Sequence, residues 1–216
     1  MSQFHNVHAW GDEEKELQQV QQKFVEYFKK GSKVLDIGSG RGVFLEMLKK
    51  NGIKPVGIEL DSEMVKVSKS KGLVVYNSDA NEYLSNTKEK FDGIFASHII
   101  EHLDIEKGKE FIELIKSHLN KDGIAIIVTP RPGSLWATEN FWLDTTHVRP
   151  YPIELMKSLL KPLQIIDGGI EPDSYALKNA KLPARLVASI RRRVLGKELF
   201  DFVYGGGVWF VVAKKT

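Results

Sequence analysis

The feature that most constrains the fold is a run of nine residues, Val34 to Gly42, with the sequence VLDIGSGRG. Its apolar first half contains one acid, Asp36, and its second half alternates three glycines with other residues. Residues 43–50 follow with apolar side chains at helical spacing. This order predicts a strand, a tight glycine turn and a helix. Such a turn lets the backbone approach a ligand closely and directs free amide N–H groups at it.

Strand and helix alternate in the same way along most of the chain. Helical periodicity predicts a first helix over residues 12–30, which would cover the ligand pocket. Apolar runs typical of buried strands recur at 34–37, 55–60, 72–76, 91–97, 124–130, 163–169 and 207–213. The pattern predicts a doubly wound, mostly parallel α/β sheet that binds its ligand at the carboxyl ends of the strands. Residues 130–152 lack a clear period, and we expect a long functional loop there.

Length and composition favour one globular domain covering residues 1–216. The chain is 42% hydrophobic and 27% charged, which is ordinary for a globular domain with a real core. It contains no cysteine, so disulfides, zinc–thiolate sites and thiol nucleophiles are excluded. The polar N-terminus and the lack of long apolar runs favour a cytoplasmic protein.

Positive charge is concentrated near the C-terminal end of the chain. Seven Lys and Arg residues and no acid lie between Tyr175 and Lys197, within an expected insertion at residues 170–204 before the last strand. Residues 183–195 have the pattern of an amphipathic helix with a basic face. This basic segment, 178–197, suits an anionic membrane surface or a phosphorylated substrate, or packs as a cap helix on the substrate side. Nucleic acid is not the partner we expect.

The glycine spacing is G-x-G-x-G, and Val43 stands where the dinucleotide fingerprint G-x-G-x-x-G has its third glycine. A strand that carries an acid before G-x-G-x-G resembles the first motif of class I S-adenosylmethionine-dependent methyltransferases, of the bacterial small-molecule and glycan type. The resemblance implies a Rossmann-like sheet of seven strands with an antiparallel last strand. It also implies S-adenosyl-L-methionine as cofactor and S-adenosylhomocysteine as product.

The resemblance also assigns cofactor contacts at the strand ends. The backbone of the glycine turn would hold the methionine part, Glu59 the ribose, and Asp79 with the backbone at Ala80 the adenine. Glu59 is otherwise a solvated acid, and Asp79 is otherwise a helix N-cap. The full expected set is Asp36, Gly38, Ser39, Gly40, Gly42, Glu59, Leu60, Asp79, Ala80 and Ser97.

The sequence after the fourth strand, His98-Ile-Ile-Glu101-His102, permits three interpretations. It matches the H-x-x-E-H signature of inverted zinc peptidases, although a peptidase needs a long helix and a further ligand. It resembles the E-x-x-E-H of small-RNA 2′-O-methyltransferases, which implies a divalent metal held by Glu101, His102 and His147. His98 replaces the first glutamate of that motif, which weakens the case for magnesium. In the third interpretation, Glu101 and His102 only order the loop by hydrogen bonding.

Residues 144–150 resemble the D-x-T-H-V-R-P segment of bacterial methyltransferases, many of which are associated with glycan synthesis. His147 is the general base that we expect, with His98 or His102 behind it, because an imidazole titrates near neutral pH. Arg149 would bind an anionic group of the substrate. Stacking on a sugar or another ring is expected from Trp136, Trp142 and Tyr151. The alternative is that these aromatic side chains form the core of a lid and His147 is structural.

The sequence therefore predicts a methyltransferase that transfers a methyl group to a sugar, a glycan or another small hydroxyl acceptor. Two other classes of protein stay open at this point. One is a nicotinamide oxidoreductase, and the other is a non-catalytic regulatory or assembly protein that binds S-adenosylmethionine.

Overall fold

A computed structural model describes residues 14–133, 135–171, 193–194, 196 and 207–216. Within these ranges one sheet contains seven strands, which are β1 Lys33–Ile37, β2 Lys54–Glu59, β3 Val75–Asn77, β4 Phe91–Ser97, β5 Leu119–Pro130, β6 Gln164–Glu171 and β7 Val208–Lys214. Their order across the sheet is β3-β2-β1-β4-β5-β7-β6.

The sheet is parallel except at one strand. β1 pairs in parallel with β2 and β4, and β4 pairs in parallel with β5, whereas β7 runs antiparallel to both β5 and β6. The expected doubly wound sheet with an antiparallel last strand is confirmed. The winding reverses between β1 and β4, and a crevice forms outside the strand ends at such a reversal.

Along the chain, α1 precedes the first strand and the other helices lie between successive strands. In space, the helices flank both faces of the sheet. Their bounds are α1 Glu14–Val25, α2 Val43–Lys50, α3 Ser62–Ser70, α4 Ala80–Asn86, α5 Ile105–His118, α6 Leu135–Leu143 and α7 Ile153–Leu159, with a short 3-10 turn at Ile100–His102. The first helix is shorter than the expected 12–30 within the described residues, because the chain leaves it in a turn after Val25.

Two local expectations differ from the structure. α6 occupies part of the stretch expected to be a loop, because the apolar residues in its sequence are not spaced along one helical face and leave no helical period to detect. The third strand begins at Val75 rather than at residue 72. Gly72 has a φ of 70° and donates a hydrogen bond to the Lys69 carbonyl, so it still belongs to the turn that ends α3.

Of three buried apolar clusters among the described residues, the two larger ones lie on opposite faces of the sheet. Alternate residues of a strand point to opposite faces, so Leu35 of β1 joins the cluster beneath α5 and α7, whereas Val34 joins the cluster beneath α1 and α2. Asp36 has the same parity as Val34 and therefore faces α1 and α2. This alternation places the Asp36 carboxyl group at the crevice, on the side of the sheet that α1 and α2 cover.

Two groups of contacts hold α1 against the rest of the molecule. Near its C-terminal end, the Phe24 ring lies 5.5 Å from the Phe95 ring of β4, measured between centroids. At its N-terminal end, Glu14 accepts a hydrogen bond of 2.7 Å from Lys71 Nζ, which also bonds to Glu46 of α2 at 3.1 Å. α1 is thus fixed over the crevice at both of its ends.

The expected basic insertion, 170–204, lies almost entirely outside the described residues, as does the basic segment 178–197, apart from residues 193, 194 and 196. Among the described helices, none has the length and apolar character needed to cross a membrane. A cytoplasmic location and a membrane or phosphate partner for the basic segment stay predictions.

Tyr151 is a correction to the sequence analysis. Its side chain is fully buried in the core, and its single hydroxyl proton is shared between the backbone carbonyls of Leu103 (3.1 Å) and Asp104 (2.8 Å). The ring lies against Gly108 of α5. The expected stacking of Tyr151 on a substrate is wrong, because pairing the hydroxyl at the start of α5 satisfies its polar end and leaves the ring free to fill the core.

We expect Gly108→Ala to destabilise the protein, although alanine in a helix normally stabilises it. A Cβ at this position would overlap the Tyr151 hydroxyl. The expected loss in the free energy of unfolding is about 1–3 kcal/mol, measured by urea denaturation. The loss should be smaller in a Tyr151→Phe background, and the exposed neighbour change Lys109→Ala is the control. A Gly108→Ala protein more stable than the wild type would contradict the packing.

Candidate active site

A cavity of about 320 Å³ opens where the winding of the sheet reverses, beneath α1. It lies between the glycine turn, the N-terminal part of α2 and the end of β4. The residues that line it are Glu14, Leu17, Gln21, Asp36, Gly38, Ser39, Gly40, Arg41, Val43, Phe44, Met64, Phe95, Ser97 and His98. Five expected cofactor residues, namely Asp36, Gly38, Ser39, Gly40 and Ser97, are among them.

The glycine turn is shaped by its backbone angles and by close packing. Gly38 has a φ of 74° and Gly42 a φ of 80°, a left-handed region that disfavours side chains. A Cβ at Gly38 would overlap Ile99, and one at Gly42 would overlap Leu73. Gly40 also has a positive φ of 52°, but no atom lies within 4 Å of where its Cβ would be. At Gly40 the missing side chain leaves open space at the cavity wall.

The amide groups of this turn correct one expectation. Gly38 and Ser39 both donate to the Ile58 carbonyl, at 2.9 Å and 3.0 Å, and Gly42 donates to the Ser39 carbonyl at 2.9 Å. The Gly40 amide donates to Glu59 Oε2 at 2.8 Å. These four N–H groups are therefore engaged within the protein rather than free for a ligand, because the tight turn folds back onto the end of β2.

Glu59 holds the ends of β1 and β2 together. While Oε2 accepts from Gly40, Oε1 accepts from the Asp61 amide at 2.9 Å. The next side chain, Leu60, is 71% exposed. Glu59 thus has a structural role in the turn, and its expected contact with ribose stays a prediction.

Asp79 caps α4, as the alternative interpretation of this residue expects. Its Oδ1 accepts from the amides of Asn81 (2.8 Å) and Glu82 (3.1 Å). Ala80, the first residue of α4, is partly buried. Neither residue lines the described cavity, so their contact with adenine remains untested.

Asp36 is an acid at the base of the cavity and is only 3% exposed. Burial raises the pKa of its carboxyl group to about 8, and the negative charge of Glu59 adds to the effect. At neutral pH the buried carboxyl group therefore keeps its proton, unless a cation beside it compensates for the burial.

His98 follows β4 directly and reaches the cavity because of an uncommon backbone conformation. Its φ is 59°, and its amide donates to the Val128 carbonyl at 2.9 Å. Its Nδ1 lies 3.3 Å from Oε1 of Glu101, a side chain with no exposed surface. Burial acts to raise the pKa of Glu101, but hydrogen bonding to His98, and the positive charge of that imidazole when it is protonated, hold that pKa below its usual range. An ionised carboxylate facing Nδ1 favours the tautomer in which Nε2 is the basic nitrogen.

His147 lies behind this pair rather than among the residues that line the cavity. Its Nδ1 donates to the Phe141 carbonyl at 2.7 Å, and its ring stacks on the Phe141 ring at a centroid distance of 4.4 Å. Its side chain is 4% exposed. His102 packs against it with ring centroids 4.8 Å apart, and its Nδ1 lies 3.0 Å from Thr146 Oγ1. Both imidazoles are held by the loop, and His98 is the one of the three expected catalytic histidines that lines the cavity.

The remaining expected substrate residues have different surroundings. Trp142 is 54% exposed at the end of α6. Arg149 is partly exposed, with its guanidinium 5.2 Å from the centroid of the Tyr151 ring. Trp136 lies in α6, but its side chain is outside the described residues.

Sequence reasoning missed the cavity residues contributed by α1. Leu17 and Gln21 are four residues apart and therefore lie on the same side of the helix. The sequence carried one signal for them. The first helix was expected to cover the ligand pocket, so one of its faces must contact the pocket. Nothing in the sequence, however, distinguishes Gln21 from the glutamines near it.

Residues 9–163 match a family model described as a methyltransferase domain. A solved S-adenosylmethionine-dependent methyltransferase from Archaeoglobus fulgidus is 31% identical and superposes with a TM-score of 0.77, covering 94% of this chain and 95% of that one. This chain belongs to the S-adenosylmethionine-dependent methyltransferases. Family membership confirms the expected class and cofactor, and it decides against the nicotinamide oxidoreductase.

Two ubiquinone biosynthesis O-methyltransferases match this methyltransferase over part of its length. The bovine mitochondrial protein is 30% identical over 109 residues, covering 46% of this chain and 29% of that protein. The protein of Pelagibacter ubique is 35% identical over 106 residues, covering 46% of this chain and 42% of that protein. The chain thus spans less than half the length of these relatives.

The cavity of this methyltransferase suits S-adenosylmethionine. It contains the acid Asp36, whose ionised form would bind a cationic group of the ligand. The open space at Gly40 lets a ligand approach the backbone closely. Ser39 lines the cavity, its Oγ is buried, and no described residue forms a hydrogen bond with that atom. A buried hydroxyl group of this kind is satisfied when a polar ligand group comes within reach.

We expect Asp36→Asn to stabilise the cofactor-free protein at alkaline pH. Between about pH 4, where an unfolded aspartate ionises, and about pH 8, the folded protein binds one more proton than the unfolded chain. The free energy of unfolding therefore falls as pH rises through this window, and the asparagine variant lacks that fall. Urea midpoints at pH 5, 6.5 and 8 should show a gap between the two proteins that widens with pH. A gap that stays constant would show that Asp36 ionises normally.

Proposed function

We propose that this protein transfers the methyl group of S-adenosylmethionine to a hydroxyl group of a small ring-containing acceptor. The observation that supports it best is the His98–Glu101 pair at the cavity wall, because a hydroxyl acceptor must lose a proton. The relatives named as O-methyltransferases also favour oxygen as the acceptor atom. A sugar or glycan acceptor, which the D-x-T-H-V-R-P resemblance suggests, and a phenol both fit this chemistry.

Different residues of the chain would bind the two ends of the cofactor. Asp36, Ser39 and Gly40 would hold the amino-acid end of the cofactor, while Glu59, Leu60, Asp79 and Ala80 would hold its adenosine. When bound, the cofactor supplies a methyl group already activated by the positive sulfonium. What the protein adds is in-line positioning of the acceptor and removal of its proton.

His98 would receive the acceptor's proton at Nε2. Glu101 orients the ring from behind by facing Nδ1, and it stabilises the imidazolium that forms. The hydroxyl of Thr129 on β5 donates a hydrogen bond of 3.0 Å to Glu101 Oε2, which fixes the carboxylate. Exposed Trp142 and partly exposed Arg149 would contact the acceptor's ring and any anionic group on it.

The experiment follows a labelled methyl group from S-adenosylmethionine into a fractionated lysate and into panels of sugars and phenols. We expect His98→Gln to lower kcat at least about 100-fold, the usual scale for a lost general base. The matched variant His147→Gln should lower kcat much less, and both should keep the cofactor affinity of the wild type. A larger loss in His147→Gln than in His98→Gln would return the role of base to His147.

The same assay tests the non-catalytic alternative. A protein that binds the cofactor tightly yet labels no fraction would be a regulatory or assembly protein. In that case His98→Gln would leave cellular function intact. Label appearing in any hydroxyl compound, and lost in His98→Gln, would exclude that alternative.

A metal-assisted version of the reaction is a second candidate, favoured by one cluster. Donor atoms of Glu101, His102 and His147 lie within 4.8 Å of one another, and both imidazoles have Nδ1 at a backbone carbonyl, as metal-binding histidines often do. Donors around a tetrahedral zinc are about 3.4 Å apart, so the cluster would have to contract. We therefore prefer His98 acting without a metal.

Metal analysis of the purified protein and a chelator titration decide between the two versions. If a metal assists, a stoichiometric ion should be present, and His147→Gln should lose both the ion and the activity. If His98 acts alone, EDTA should leave methyl transfer unchanged. Activity that EDTA abolishes and a divalent ion restores would establish the metal-assisted version.

A further inference from the structure

Gln21 of α1 lines the cofactor cavity and carries a buried polar atom that no described residue satisfies. The residue is 7% exposed and lines the cavity, and its Oε1 is buried. No described residue donates a hydrogen bond to that oxygen. A buried amide oxygen without a donor destabilises a fold, so a glutamine at this place indicates a ligand that donates to it.

α1 holds Gln21 in this position. Phe24, three residues further along the helix, packs on Phe95, and Glu14 is bonded to Lys71 at the other end. The helix therefore cannot rotate to expose the amide without breaking the aromatic contact or the ion pair. These contacts keep the Gln21 side of α1 against the cavity.

The surroundings of Gln21 indicate which part of the cofactor it meets. The residues expected to hold adenosine, Glu59, Leu60 and Asp79, are not among those that line this cavity. The cavity instead contains the buried acid Asp36 and the buried hydroxyl of Ser39. A cation beside Asp36 would favour its ionised form, in which the carboxylate and the amide oxygen of Gln21 are both acceptors. This pair matches a cationic donor such as an ammonium group.

We propose that Gln21 binds the amino-acid end of S-adenosylmethionine, with its Oε1 accepting a hydrogen bond from the cofactor's ammonium group. α1 then contributes directly to cofactor affinity rather than only covering the pocket. The proposal concerns cofactor binding and holds whichever acceptor receives the methyl group.

The test compares three ligands by calorimetry on the full chain. S-adenosylmethionine and S-adenosylhomocysteine both carry the amino-acid end, whereas 5′-methylthioadenosine lacks it. Gln21→Met has nearly the same length as glutamine but offers no amide. We expect it to weaken binding of the first two ligands about tenfold, the effect of losing one hydrogen bond to a charged group, and to leave the third unchanged.

Two further variants make the result specific. Gln22→Met changes the exposed neighbour on the same helix and should bind all three ligands like the wild type. Gln21→Asn keeps the amide but withdraws it by one carbon, and it should show the same selective loss as Gln21→Met. Thermal melts of each cofactor-free variant check folding, and Gln21→Met should melt no lower than the wild type, because it removes a buried unsatisfied atom.

Either of two outcomes would overturn the proposal. An equal loss for all three ligands would show that Gln21 shapes the pocket without contacting the amino-acid end. Unchanged affinity for all of them would show that the amide oxygen has another partner, such as a buried water molecule. Since the readout is binding, a failure here leaves the proposed methyl transfer to be judged by its own assay.

Discussion

The buried carboxylate of Glu101 is the interaction on which the architecture of the site depends. One oxygen faces His98 at 3.3 Å, and the other accepts the hydroxyl of Thr129. Its backbone carbonyl accepts the amides of Val148 (2.8 Å) and Arg149 (3.2 Å). One residue thus connects the end of β4, the end of β5 and the loop that carries His147. A carboxylate removed from water needs such partners, so the surrounding segments are constrained to supply them.

Part of the cavity lining was predictable from sequence. A glycine turn after a strand has few folding options, and acids at successive strand ends must meet at one edge of a parallel sheet. Asp36, Ser39 and Ser97 could therefore be placed without coordinates. The engagement of the Gly38 and Ser39 amides by Ile58 could not, because the partner is a backbone carbonyl, which carries no sequence signal.

The acceptor side was harder to predict, and the reason is physical. Aromatic residues serve equally well as core and as stacking surface, and sequence does not distinguish a buried ring from an exposed one outside a periodic element. Tyr151 is core, whereas Trp142 is exposed. His147 and His98 have the same chemistry, and only the left-handed backbone at His98 brings one of them to the cavity. Gln21 could not be found from sequence, because its significance lies in a missing partner.

The placement of β7 between β5 and β6 has a consequence for how the molecule is made. β6 has its sheet contacts with β7, and β5 exposes an unpaired edge until β7 arrives. Residues 164–171 are synthesised before residues 208–214. Until the ribosome has added residues 208–214, the nascent chain therefore carries the unpaired apolar edge of β5. Such edges are prone to pair with other chains. Completion of the sheet must therefore wait for synthesis, and the half-made protein is the form that most needs protection from aggregation.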